Sequence, residues 1–145
     1  MSVFSSMNIS ATGMTAQRLR TDIIAQNIAN ANTTRTQDGT PYVRKTVVFS
    51  EKGVSAFSNI YENAVGLSGT GVKVSSIVDD TKTAMKKVYD PAHPDADEEG
   101  YVTYPNVDSV TEMTNLIDAS RAYEANVTAF NATKAMALKG LEVGK

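Results

Sequence analysis

Residues 109–141 read SVTEMTNLIDASRAYEANVTAFNATKAMALKGL, and the spacing of their side chains decides the fold. Met113, Leu116, Ser120, Tyr123, Val127, Phe130, Lys134, Ala137 and Leu141 alternate steps of three and four, the heptad pattern of a helix that lays one seam on another helix. Ser120 and Lys134 interrupt the seam, and polar seam positions cost stability while fixing register. The segment before it sets the start of the helix. Pro105 biases Tyr104 to extended backbone, Asn106 or Ser109 is placed to cap, and Ser109 stands at capping-box spacing from Glu112.

A partner helix is readable at the other end of the chain. Phe4, Met7, Ala11 and Met14 form one stripe that Ile24 and Ile28 continue, while Ile9, Ala16 and Ile23 repeat every seven residues on another face. Two apolar faces predict contacts on two sides, as in a bundle or a packed tube. Asn30-Ala31-Asn32-Thr33-Thr34 ends the helix, because short polar side chains compete for the backbone. At 1.5 Å per residue the two helices would run roughly 40 and 50 Å, longer than a compact domain of this size requires.

Between them the character changes. Asp38-Gly39 with Pro41 predicts a turn, residues 42–49 a strand, Gly69-Thr70-Gly71 a turn and residues 72–78 a second strand. Residues 90–100, with Pro91, Pro94 and an acidic cluster, predict a surface loop. The expected fold class is α+β, with long N- and C-terminal helices pairing as a coiled coil and a small β-rich insert between them. Its segments are 1–34 for the first helix, 35–105 for the insert and 106–145 for the second helix.

Composition narrows the function classes. At 145 residues the chain has room for one core of ordinary size. Fourteen basic and sixteen acidic residues are scattered without a basic stripe, which argues against nucleic acid as a partner. The absence of Cys excludes thiolate nucleophiles, disulfides and Cys-ligated zinc. No cleavable signal peptide is expected at the N-terminus, and no apolar run is long enough for a membrane-inserted segment. Twelve Ser, sixteen Thr and ten Asn, many inside helical segments, give helices with hydrogen-bonding faces that carry few charges.

The catalytic readings are weak. His93 is the only histidine, so no multi-histidine metal site can be built, and a Ser-His-Asp arrangement lacks its Gly-x-Ser-x-Gly elbow. Asp90, Asp95, Asp97, Glu98 and Glu99 lack the ligand spacing and glycine of a calcium loop and read as a solvated acidic loop. Gly69-Thr70-Gly71 lacks the third glycine of a dinucleotide fingerprint. Asn8, Asn32, Asn126 and Asn131 begin Asn-x-Ser/Thr triplets that read as chance, and Arg18, Arg20 and Arg121 read as solvated or salt-bridging side chains. No cofactor, metal, small-molecule substrate or catalytic residue is expected.

Residues 10–18 (SATGMTAQR) with residues 22–33 (DIIAQNIANANT) closely resemble the signature of bacterial flagellar rod and hook proteins. Residues 117–127 (IDASRAYEANV) resemble the matching C-terminal motif of that superfamily. Residues 90–107, from Asp90-Pro91-Ala92-His93 to Tyr104-Pro105-Asn106-Val107, look like its C-type proximal-rod branch. Thr21 and Gln26 depart from the usual pattern.

The resemblance implies a non-enzymatic structural subunit of the flagellar basal-body rod, exported through the flagellar type III apparatus without cleavage and polymerised helically across the periplasm. Its implied partners are copies of itself, other rod proteins, a rod-base adaptor and the export apparatus. Phe4, Met7, Met14, Ile23, Ile24, Ile28, Met113, Leu116, Tyr123, Val127, Phe130 and Leu141 are the residues expected to carry helix packing and subunit contacts. The alternatives are another axial subunit, a cytoplasmic helical adaptor, or a cell-wall hydrolase, the last disfavoured by the lack of paired catalytic carboxylates.

Overall fold

The structure is a computed structural model in which residues 3–53 and 71–143 are described. Helix α1 spans Val3–Ala29 and helix α2 spans Ser109–Val143. Between them lie strands β1 (Lys45–Glu51), β2 (Val72–Asp79), β3 (Lys86–Tyr89) and β4 (Tyr101–Tyr104). The α+β class with long helices at both ends is as expected from the heptads. The predicted turn at Gly69-Thr70 lies outside the described residues.

Each helix end has a local cause. α1 stops where the Asn30 side-chain amide donates to the Gln26 carbonyl at 2.9 Å and the Thr33 amide donates to the Asn30 carbonyl at 3.1 Å, which closes the last turn. At the start of α2 neither Asn106 nor Ser109 is the cap. Asp108 is: its carboxylate accepts the Thr111 hydroxyl at 2.6 Å and the Thr111 amide at 3.4 Å, and its carbonyl accepts the Glu112 amide. Glu112 is thereby released from the expected capping box and turns inward.

The strands pair in two small sheets, β1 with β2 and β3 with β4. β1 begins at Lys45 rather than Tyr42, because the backbone before it is engaged elsewhere: the Tyr42 amide donates to the Thr33 carbonyl at 3.1 Å and the Arg44 amide to Asn106 Oδ1 at 2.8 Å. β3 and β4, absent from the sequence expectation, form an antiparallel hairpin in the register Lys86↔Tyr104, Lys87↔Thr103, Val88↔Val102, Tyr89↔Tyr101. The acidic loop is the connection of this hairpin. Gly100 closes it at φ +83°, where an L side chain is strained and a Cβ would come within 2.9 Å of Tyr89.

The chain divides into two compact units, each drawing on both helices. In the unit of residues 1–19, 48–76 and 118–145, Ala16 and Ala119 are buried. Gly13 lies so close to Asn126 that a Cβ there would stand 2.7 Å from its Oδ1. In the same unit Gly71, at φ +100°, lies against Thr12, whose hydroxyl accepts the Val72 amide at 3.2 Å and donates to the Ile9 carbonyl at 2.7 Å. In the unit of residues 20–47 and 77–117 the apolar core is Ile23, Ile24, Tyr42, Val102 and Val107, with Pro105 also shut in. Burying side chains of this size contributes about 1.5–3 kcal/mol each.

Candidate assembly surface

The core of the second unit is organised around polar groups. Asn27 is 1% exposed and uses all of its hydrogen-bonding capacity. Its Nδ2 donates to the Lys45 carbonyl at 2.8 Å and to Glu112 Oε2 at 3.0 Å. Its Oδ1 accepts the Tyr42 hydroxyl at 2.8 Å and the Lys45 amide at 2.9 Å. One side chain thus ties the end of α1 to the approach of β1 and to the first turns of α2.

Glu112, fully buried, is the second node. Arg44 donates to its Oε1 through Nε at 2.9 Å and through a terminal guanidinium nitrogen at 2.7 Å, and the Asn115 amide adds a contact at 3.2 Å. The other terminal nitrogen of Arg44 lies 3.4 Å from the Asp80 carboxylate. Asn106 is the third node: its Oδ1 accepts the Arg44 amide at 2.8 Å, and its Nδ2 donates to the carbonyls of Asp80 at 2.7 Å and Thr83 at 3.1 Å. A buried ion pair survives loss of hydration only with such supporting hydrogen bonds.

Protonation states fit the network. Burial, then the charges of Asp79 and Glu112, push the Tyr42 phenol above its ordinary value, so it stays a donor to Asn27. The Thr83 hydroxyl and amide hold the Asp80 carboxyl below the usual carboxylate range, and the Thr111 hydroxyl does the same for Asp108.

The network leaves apolar side chains outside. Val110 (73% exposed), Met113 (54%) and Ile117 (53%) follow one another at helical spacing on α2. Phe4, Met136, Leu138 and Leu141 are also exposed. A single chain that hides carboxylate and amide while presenting Met, Ile, Val and Leu has faces suited to further contacts. No helix among the described residues is long and apolar enough to cross a membrane, and no cluster there is placed to hold a metal ion.

Comparison with known proteins identifies the relatives of this chain. The family model described as "Flagella basal body rod protein" matches residues 7–36, and "Flagellar basal body rod FlgEFG protein C-terminal" matches residues 98–143. A flagellar basal-body rod protein FlgC of Bacillus subtilis (strain 168) is 49% identical over 152 residues, covering 100% of both chains. The FlgC of Borreliella burgdorferi is 45% identical, covering 99% of this chain and 98% of that one. The FlgC of Salmonella typhimurium is 39% identical with 100% coverage of both. The chain belongs to the FlgC family.

Within this chain the residues singled out in the sequence fall into three groups. Ile23 and Ile24 are buried. Met7, Met14, Ile28, Leu116, Val127 and Phe130 are half-buried. Phe4, Met113, Tyr123 and Leu141 are exposed. On α2 the row that is most shielded every seven residues is Glu112, Ala119, Asn126 and Thr133, one position before the row of Met113, Ser120, Val127, Lys134 and Leu141, which is exposed except at the half-buried Val127. Sequence reasoning missed the clamp of Asn27, Tyr42, Arg44, Asn106 and Glu112. Its one visible trace was Asn27 standing among the apolar residues Ile23, Ile24 and Ile28.

Proposed function

We propose that this chain is a non-enzymatic subunit of the proximal rod of the bacterial flagellum, polymerising helically with copies of itself and with other rod proteins. The observation that carries this reading is likeness to FlgC rod proteins along the whole chain, at 39–49% identity. In this role the subunit transmits torque and contributes to the wall of a central export channel. It reaches the periplasmic part of the basal body through the flagellar type III apparatus and docks on a rod-base adaptor.

The terminal helices are proposed to pair as an antiparallel coiled coil. Supporting this, Gly13 approaches Asn126 within one unit and Asn27 bonds Glu112 within the other. These two contacts stand two heptads apart on each helix, in opposite directions. The twelve helix residues named from the sequence, from Phe4 to Leu141, are proposed to divide between this pairing and contacts with neighbouring subunits.

Electron microscopy of basal bodies from cells lacking the chain, with an assay for secreted hook protein, tests the role. Missing rods and blocked hook export, both restored by the intact gene, are the expected result. Normal rods and swimming would overturn it.

A further inference from the structure

We propose that the β3–β4 hairpin is a homotypic docking surface, on which the acidic tip of one copy meets the lysine-bearing root of the next. The proposal rests on the rod-subunit reading and names the surface through which neighbouring copies touch.

Within the chain the hairpin is covered beside β4, where Tyr101 and Thr103 line a cavity with Thr34, Arg35 and Pro41, and is open along β3. All four residues of β3 are exposed. Val102 is buried on the inner face, so strand alternation turns Tyr89, Tyr101 and Lys87 outward. Tyr89 and Tyr101 pack edge to face at 5.3 Å, a fixed aromatic ledge at 64% and 40% exposure.

Charge selects the occupant. The hairpin root carries Lys82 and Lys87, neither of which forms an ion pair among the described residues. Lys86 beside them has its charge near Asp108. The tip carries Glu98 and Glu99, also without an ion pair among the described residues, while the other acids of the loop are engaged internally. Asp95 accepts the Thr34 hydroxyl at 2.8 Å and pairs with Arg35 at 3.6 Å. Asp97 accepts the amides of Tyr101 at 2.7 Å and Glu99 at 3.1 Å. Lys87 lies at least three strand residues from the tip, roughly 10 Å, which separates the two signs.

Opposite charges at two ends of one exposed hairpin complement each other between copies, and in a helically polymerising rod the tip-to-root contact is heterologous and repeats from copy to copy. Lysines on the open edge of β3 disfavour indiscriminate strand addition. A partner bringing carboxylates is thereby preferred, and the chain supplies one itself.

The chain has no Cys, so engineered cysteines report cleanly. Cells co-expressing one chain with Lys87→Cys and another with Glu98→Cys should give disulfide-linked dimers in isolated basal bodies, and neither variant alone should. Lys82→Cys replaces Lys87→Cys if the latter blocks assembly. Reversing the root with Lys82→Glu and Lys87→Glu should cut swimming several-fold, and adding Glu98→Lys with Glu99→Lys should restore it. Both variants incorporated into basal bodies without mixed dimers, or a charge swap that fails to rescue, would overturn the surface while leaving the rod role intact. Absence of the unmodified chain from basal bodies would overturn the role and this inference with it.

Discussion

The side-chain amide of Asn27 donates to Glu112 Oε2 at 3.0 Å across 85 positions of sequence, and both side chains are shut from solvent. Polar groups buried together discriminate among packings more sharply than apolar ones, because any arrangement that separates them leaves a donor or acceptor unmet.

Changing Glu112→Leu removes the acceptor of both Arg44 and Asn27. The expected loss is about 2–3 kcal/mol, below the ~3–5 of a fully buried pair because Arg44 keeps some contact with water. Arg44→Met in the same background should cost less than the sum of the single changes, since it removes the stranded cation. Urea unfolding followed by tyrosine fluorescence checks both.

Gly13→Ala should be close to neutral. The methyl group displaces the Asn126 amide, which holds the Ala122 carbonyl at 2.7 Å, while alanine gains about 1 kcal/mol of helix propensity over glycine. Combining it with Asn126→Ala removes the collision and should raise stability by about 1 kcal/mol, read as a shift in thermal midpoint. Gly13→Leu should instead destabilise the chain.

Acid should loosen the start of α2 before the rest. The folded-state carboxyls of Asp108 and Asp80 titrate below their unfolded values. Their contribution is therefore present above the unfolded pKa of about 3.9 and is lost as pH falls through the lower folded values. Asp108→Asn keeps a capping oxygen that does not titrate and should blunt the acid sensitivity of α2. Amide exchange at residues 109–112, compared at pH 6 and pH 3, decides it.

Met113→Lys and Ile117→Lys should change the stability of the free chain by no more than about 0.5 kcal/mol, because both side chains already meet water. The same variants should fail to support rod assembly in cells. Tyr123→Asp and Phe130→Asp should fail likewise, and normal rods in all four would remove α2 from subunit contacts.

The sequence made the two helices legible because repeated three-and-four spacing over nearly thirty residues has few other solutions. β1 and β2 were legible from their β-branched runs. β3 and β4 were not: KKVY and YVTY are short, and the residues between them carry two prolines and read only as a loop. Their pairing shows in Val88 opposite Val102 and Tyr89 opposite Tyr101, which emerges once the register is known. The clamp was hidden for a different reason. Periodicity weighs apolar residues, so it selected Met113 and passed over Glu112, whose burial depends on Arg44 lying 68 positions away. The cap at Asp108 was missed by one residue because Ser109 offered an equally good local pattern.

The hairpin tip has a kinetic consequence. The Asp90 amide donates to the Gly100 carbonyl, the Asp97 amide to the Tyr101 carbonyl and the Asp95 amide to His93 Nδ1, so the loop holds its shape through its own bonds. A surface already in its docked conformation loses little entropy on contact. Encounter rather than rearrangement would then set the pace at which one subunit is added to the next.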